Sequence, residues 1–229
     1  MPTEGSGPVE LTAAVQDYAK AIYALETRVG VASTNALAER LGVRPASVSG
    51  MLRKLDALGL VKHERYRGVR LTESGRTVAL EVLRHHRLLE LYLAEGLGMG
   101  WDEVHAEAER LEHVLSEELE DVIAAKLGYP SVDPHGDPIP TATLEIEEGR
   151  TQSLHSLEPG ESGVFTRVSD ANPAMLRFLA GRGIAPGARF VVVDKQPFEG
   201  PLFVRFAGGV EALGGGLARA MRVRLEPEP

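Results

Sequence analysis

The chain of 229 residues is 43% hydrophobic, enough for one large domain or two small ones with a proper core. It has no cysteine, which excludes disulfides, Cys-ligated zinc, iron–sulfur clusters and thiol catalysis and suits a reducing compartment. The net charge of −8 hides a division: residues 10–80 hold eleven Lys/Arg against seven Asp/Glu, and the rest of the chain holds 14 against 26, so a basic module is joined to an acidic remainder. The opening M-P-T-E-G-S-G-P has no basic segment followed by an apolar one, and nowhere do about eighteen apolar residues run together. A soluble, cytoplasmic protein without signal peptide or membrane span is expected.

Residues 1–9 read as a disordered leader. Leu11 to Val29 is predicted helical, with Val15, Ala19, Ile22 and Tyr23 on one side. Asp17 lies early in it, where a lone acid is ordinarily a dipole partner or solvated. Ser33 or Thr34 can cap a short helix through Leu41, closed by Gly42, and Pro45 suits the first turn of a second helix ending at Ala57. Val48, Leu52 and Leu55 face inward there, while Ala46, Ser49, Gly50 and Arg53 share the outer face. That is a helix-turn-helix whose second helix can lie in a major groove. Small residues permit close approach, and Ser47, Ser49, Arg53 and Lys54 can bond bases or neutralise phosphates. The alternative is an ordinary helical hairpin with a solvated face. Leu60–Arg65 and Val69–Thr72 then flank Tyr66-Arg67-Gly68 as a β-hairpin, which makes the module a winged helix with Arg65, Arg67 or Arg70 against the backbone or minor groove.

Glu73 to Leu93 reads as a long helix on which His86 and Glu90, four apart, share a face; His85 lies a further ~100° round. Taken alone, such a pair can be merely structural. The next helix, entered at Met99 and Trp101 and continuing toward Leu127, contains the stretch Val104–Ser116. Val104, Ala108, Leu111 and Leu115 form its docking stripe, and His105, Glu109, Glu112 and His113 fall on the neighbouring face within roughly 100°. Asp102 to Asp121 holds nine acids against one base, Arg110. Like charges so crowded repel, which leaves two readings, a solvated acidic helix or a divalent-metal site. Leu88, Leu91, Leu115, Leu119 and Val122 exceed the needs of a winged helix and are assigned to a homodimer interface.

Gly128 to Arg150 is a connection with four prolines, partly extended, in which His135 of D-P-H-G-D reads as a turn residue with a structural role. From Thr151 short β-like runs follow (Gly163–Val168, Arg189–Val193, Leu202–Phe206, Met221–Leu225), interrupted by a brief helix, Ala174–Leu179, which predicts a small β-barrel. The G-G-V…G-G-G stretch lacks the context of a phosphate loop and reads as turns.

Taken together, D17-Y-A-K-A-I-Y-A-L, R44-P-A-S-V-S-G-M-L-R-K-L, Y66-R-G-V-R-L-T, R84-H-H-R-L-L-E, E109-R-L-E-H-V-L-S and D-P-H-G-D-P-I-P resemble the diphtheria-toxin-repressor family of metal-dependent winged-helix regulators. The resemblance covers roughly residues 10–140, and the tail resembles the family's SH3-like domain more loosely. It implies a mainly α chain with a winged helix-turn-helix DNA-binding domain at 10–73, a helical metal-binding and dimerisation domain at 74–140 and an SH3-like (FeoA-like) domain at 151–229. It also implies a homodimer on a palindromic double-stranded DNA operator, with Arg44, Ala46, Ser47, Ser49, Gly50, Arg53, Arg65 and Arg67 at the DNA and no membrane partner. Carried over, the primary metal site is Asp17, Glu109, Glu112 and His113. The ancillary site is His86, Glu90 and His105 with Asp170, and the other position the SH3-like domain usually supplies is Arg167, which cannot ligate. Iron-type members hold Met and Cys where this chain has Asp17 and Glu109, and the acids match the manganese-responsive branch. An oxygen-rich set with one imidazole suits Mn(II), although affinity alone favours Zn(II) or Cu(II). Fe(II) is the alternative, and Zn(II), Co(II) or Cd(II) are expected to substitute in vitro. Lys20 stands where a pair of adjacent ions needs another acid, so two separated sites are expected. The rivals are a di-metal carboxylate enzyme, which lacks its paired Glu-x-x-His motifs here, and a winged-helix sensor of an organic ligand.

Overall fold

The computed structural model describes residues 11–64, 68–147 and 149–226. The chain divides into two compact units, 1–85 and 86–229.

In the first unit, α1 (Ala13–Val29), α2 (Thr34–Leu41) and α3 (Pro45–Ala57) precede a hairpin of β1 (Val61–Glu64) and β2 (Gly68–Leu71). Each boundary has a local cause. Gly30 and Gly42 adopt left-handed conformations that end α1 and α2. The Ser33 side chain accepts from Ala36 N at 3.2 Å to start α2, and Pro45 occupies the first turn of α3. Val15, Ile22, Leu37, Val48, Leu52, Leu55, Leu60 and Val69 close one apolar core among these elements. Glu26 Oε1 accepts from Leu71 N at 2.7 Å and fastens α1 to the hairpin. Ala32 bridges Val69, and at Gly68 (φ +136°) a Cβ would lie 2.1 Å from Ala32 O. Only glycine fits there. Arg65 and Arg67, expected at the wing tip, lie outside the described residues.

α4 (Glu73–Leu91) starts in the first unit, runs into the second and ends in one π-helical turn, Tyr92–Gly96. The expected single helix from Val104 toward Leu127 is two, α5 (Val104–Leu111) and α6 (Glu117–Lys126). Ser116 breaks it: its backbone is extended and its side chain accepts from Leu119 N at 3.3 Å. Glu117, Glu118 and Glu120 in the first turn then suit the positive end of a new helix dipole. Leu88, Leu89, Leu91, Ala108, Ile123, Ala124 and Ile139 form the helical core, with Leu111 and Leu115 packed against it. This corrects the interface assignment. Leu88 and Leu91 are spent inside the chain, while Leu119 (50% exposed) and Val122 (62%) on α6 face outward.

The remainder is one antiparallel sheet in the order β3-β8-β4-β5-β6-β7, comprising β3 (Gln152–Ser153), β4 (Ser162–Val168), β5 (Arg189–Lys195), β6 (Leu202–Phe206), β7 (Gly209–Leu213) and β8 (Met221–Leu225). α7 (Pro173–Ala180) and α8 (Gly215–Ala220) accompany it. Phe165, Leu176, Leu179, Phe190, Val204, Leu213 and Val223 form its core, with Trp101 packed against it. The glycine-rich stretch read as turns instead carries β7 and α8. Val210 to Leu213 pair with β6, and Leu217 and Ala218 are buried. Among the described residues no helix is long and apolar enough to cross a membrane.

The β domain is seated on the connection after α6 by backbone. Val168 N donates to His135 O at 3.0 Å, and at Gly136 (φ +88°) a Cβ would lie 1.9 Å from Thr166 O. Gly136→Ala is therefore expected to destabilise the second unit by more than about 1 kcal/mol. A lowered urea midpoint, followed by the fluorescence of the single tryptophan, Trp101, checks this.

Candidate metal centre

α4 places His86 and Glu90 one turn apart on a buried face, and α5 presents His105 and Glu109 to them, also one turn apart. Asp170 arrives from the tight connection between β4 and α7, where Asn172 caps α7 by accepting from Ala174 N at 3.0 Å. His86 Nε2, Glu90 Oε1 and His105 Nδ1 form a triangle with sides of 3.0, 3.1 and 3.1 Å. Asp170 Oδ2 lies 3.0 Å from His105 Nδ1, and all four donor atoms lie within 4.8 Å of one another. Adjacent ligand atoms about 2.1 Å from a hard divalent ion in octahedral geometry stand roughly 3 Å apart. The spacing, and the set of two carboxylates with two imidazoles, fit a divalent cation.

The electrostatics agree. Hydrogen bonds to Asp170 and Glu90 push the His105 imidazole up to about 10. Asp170 would be raised by burial, but its bond to His105 outweighs that and holds it below the usual carboxylate range. Glu90, 1% exposed, is likewise pushed up by burial, yet hydrogen bonds from His105 and His86, with the His135 imidazole nearby, prevail and hold it well below that range. A proton on His105 thus sits among the donors where a cation would be shared.

Behind Glu90 stands a residue read only as part of a turn. His135 is fully buried, its Nε2 donates to Trp101 O at 2.7 Å, and its ring stacks on Trp101. Its Nδ1 faces Glu90 Oε2 at 3.7 Å. The D-P-H-G-D turn does form, with Asp133 Oδ1 accepting from His135 N at 2.8 Å and Asp137 N at 3.0 Å. Nothing in the sequence signals that this turn reaches α4. Arg167, at the non-ligating position, donates from Nη1 to Asp137 Oδ1 at 3.1 Å, and Arg87 Nη2 lies 3.7 Å from the same oxygen.

Of the four residues assigned to the primary site, three gather at the end of α5. Glu112 is 1% exposed, with Oε2 2.5 Å from His86 Nδ1 and Oε1 3.4 Å from His113 Nε2. Glu109 Oε1 stands 3.9 Å from both His86 Nδ1 and His105 Nε2. Asp17 lies on α1 of the first unit. On α3, Arg44, Ala46, Ser47, Ser49 and Arg53 are exposed, Gly50 is half-buried, and Ser49 Oγ donates to Pro45 O at 3.1 Å.

The proton on His105 gives a test. Its contribution to the stability of the metal-free fold is present below about pH 6.5 and is lost as pH rises through about 10. A cation must displace it, so Zn²⁺ or Mn²⁺ is expected to release a proton at pH 7 and to bind more tightly as pH rises toward 10. Titration calorimetry in buffers of different ionisation enthalpy reads the proton count, and His105→Ala is expected to lower it.

Comparison with known proteins places the chain in a family. Residues 10–69 match the iron dependent repressor N-terminal DNA binding domain, residues 72–141 the iron dependent repressor metal binding and dimerisation domain, and residues 152–225 the FeoA domain. The chain is 41% identical to the iron-dependent repressor IdeR of Mycobacterium tuberculosis (strain ATCC 25618 / H37Rv) over 85% of this chain and 90% of that protein. It is 35% identical to the diphtheria toxin repressor of Corynebacterium glutamicum over 93% and 97%. Among solved structures it is similar to a manganese-dependent transcriptional repressor in complex with manganese, 42% identical with a TM-score of 0.85 over 93% of this chain and 100% of that one. It is also similar to the manganese regulator SloR, 28% identical with a TM-score of 0.76. The enzyme reading falls away, and the chain belongs to the diphtheria-toxin-repressor family of metal-dependent, DNA-binding transcriptional repressors.

Proposed function

We propose that this chain is a Mn(II)-activated repressor of manganese uptake genes, binding a palindromic operator as a homodimer. The observation that carries the metal assignment is the donor set: Asp17 and Glu109 are acids in a chain without cysteine, joined by Glu112 and the single imidazole of His113. Three carboxylates and one imidazole make a hard, oxygen-rich site, which suits Mn(II) better than a thiolate–thioether pair would. Availability in the cell then decides among the ions that fit. Fe(II) is the second reading, favoured by the iron-dependent repressors among the curated relatives.

In the proposed mechanism the carboxylates of Asp17, Glu109 and Glu112 repel one another until a cation is bound. A bound cation supplies the positive charge that these carboxylates share. Asp17 is the single primary-site donor on the DNA-binding module. When it joins the other three donors, the winged helix is fixed relative to the dimer axis, and two copies of α3 can meet half-sites about one helical turn (~34 Å) apart. The ion acts only to the extent that it binds the DNA-competent arrangement more tightly. Arg44, Ser47, Ser49 and Arg53 then meet phosphates and base edges, and Ala46 and Gly50 allow the close approach. Arg65 and Arg67, between β1 and β2 in the sequence, add phosphate contacts that weaken with salt. The second site (His86, Glu90, His105 and Asp170) steadies the helical domain from the side of the β domain.

Operator binding followed by fluorescence anisotropy, one metal at a time, tests this. Mn(II) is expected to activate at free concentrations where Fe(II) does not. Asp17→Ala is expected to lower Mn(II)-dependent affinity by roughly 5- to 150-fold, the usual size of such coupling. Operator binding without any metal, or unchanged by Asp17→Ala, refutes the proposal. Arg53→Ala is expected to leave Mn(II) uptake unchanged and to reduce the salt dependence of operator binding by about one counterion.

A further inference from the structure

We infer that Glu26 is a positioning residue for the wing, through which α1, the helix that bears Asp17, sets the tilt of the β1–β2 hairpin. The inference rests on the operator-binding reading proposed above. A hairpin of two four-residue strands is marginal by itself. Alternate residues of an antiparallel strand turn their N–H and C=O to the same side, so Val69 and Leu71 share the edge of β2 that β1 leaves open. Ala32 closes that edge at Val69, with Ala32 N donating to Val69 O at 3.1 Å and Val69 N to Ala32 O at 2.9 Å. At Leu71 the partner is a side chain: Glu26 Oε1 accepts from Leu71 N at 2.7 Å, across 45 positions of sequence.

Val61 and Val69 also pack into the core of the first unit, but apolar contact is non-directional. It fixes how deep the hairpin lies, and the directional hydrogen bonds along the open edge fix its tilt. The half-buried Glu26 supplies one of these from a helix that is itself held firmly. Val15, Tyr18 and Ile22 of α1 face the same core, and the Arg76 guanidinium of α4 lies over the Tyr23 ring, 4.9 Å from its centre. Asp17 and Glu26 are nine residues apart, so they stand about 14 Å apart along α1 and on opposite faces. One face of the helix offers the metal donor, and the other carries the wing. Arg70, beside Leu71 on β2, is exposed, and Arg65 and Arg67 precede it in the sequence of the same hairpin. The tilt of β2 at Leu71 therefore decides where these basic residues meet phosphates once α3 is seated in its groove.

The test uses the full-length chain, and the probe is a duplex that its Mn²⁺-loaded form selects from a random-sequence pool. Glu26→Gln and Glu26→Ala remove the same charge, and only Gln keeps an acceptor oxygen for Leu71 N. Glu26→Asp keeps the charge but draws the carboxylate back by one methylene. Glu26→Gln is expected to bind the duplex within about twofold of the intact chain, and Glu26→Ala and Glu26→Asp roughly 3- to 10-fold more weakly, the size of one net hydrogen bond. Should Glu26→Ala fail to fold, Asp against Gln makes the same comparison. Hydrogen exchange is expected to quicken at the Leu71 amide in Glu26→Asp and to stay slow at the Val69 amide. The loss of affinity is expected to vanish in a chain that already carries Arg65→Ala, Arg67→Ala and Arg70→Ala, a non-additivity that a general loss of stability does not produce. Equal affinities of Gln, Ala and Asp variants, or the same loss with and without the three arginines, overturns the role of Glu26 and leaves the Mn(II)-activated repressor standing. Duplex binding by the intact chain that needs no metal overturns the repressor reading instead, and the Glu26 comparison is then made on metal-free binding.

Discussion

The second unit depends on one buried carboxylate. Glu90 is 1% exposed, and an uncompensated carboxylate at that depth costs several kcal/mol. The chain surrounds it with three imidazoles: His86 and His105 at Oε1, and His135 on the side of Oε2. Beyond them comes a ring of further acids, Glu112, Asp133, Asp137 and Asp170, interleaved with Arg87 and Arg167. Burial and the neighbouring carboxylates of Glu90 and Asp137 push Asp133 up to about 8. His135, which burial alone would lower, is lifted to about 9 by Glu90. Negative charge is in excess everywhere except where a proton or guanidinium intervenes. Protons and divalent cations therefore compete for the same places, and that competition is the physical content of a metal sensor.

Much of this was legible because it is local. Pro45 at the start of α3, the Ser33 cap and the glycines at 30 and 42 act within a turn of themselves, and the structure puts helix ends where those residues are. The pairing of His86 with Glu90, and of His105 with Glu109, follows from helical spacing alone. That α4 and α5 should bring these pairs together is not local, and only the family resemblance implies it. His135 shows the limit. Its sequence context announces a turn, which is correct, but the approach of that turn to Glu90 depends on the whole path of the chain after α6.

The break between α5 and α6 shows the opposite failure, a local signal read too weakly. Apolar spacing carries through from Val104 to Leu127 without interruption, so periodicity alone predicts one helix. Ser116 followed by Glu117 and Glu118 is nevertheless a helix start, and it prevails. The site itself is unaffected at Glu112, which keeps helical backbone angles and donates its N–H to Ala108 O at 2.9 Å, so its carboxylate leaves α5 at the helical step and meets His86.

Arg167 completes the picture from the side of the β domain. At the position where the resemblance implies a ligand, this chain has a guanidinium, which cannot bind a cation. Its bond to Asp137, the backbone bond between Val168 and His135, and the close approach at Gly136 seat the sheet on the D-P-H-G-D turn. None of these contacts needs an ion. Asp170, two residues beyond Val168, is therefore delivered to His105 by folding rather than recruited from a mobile domain. A donor already in place spares binding the cost of ordering it. The four candidate donors, His86, Glu90, His105 and Asp170, already stand within 4.8 Å of one another in the fold itself.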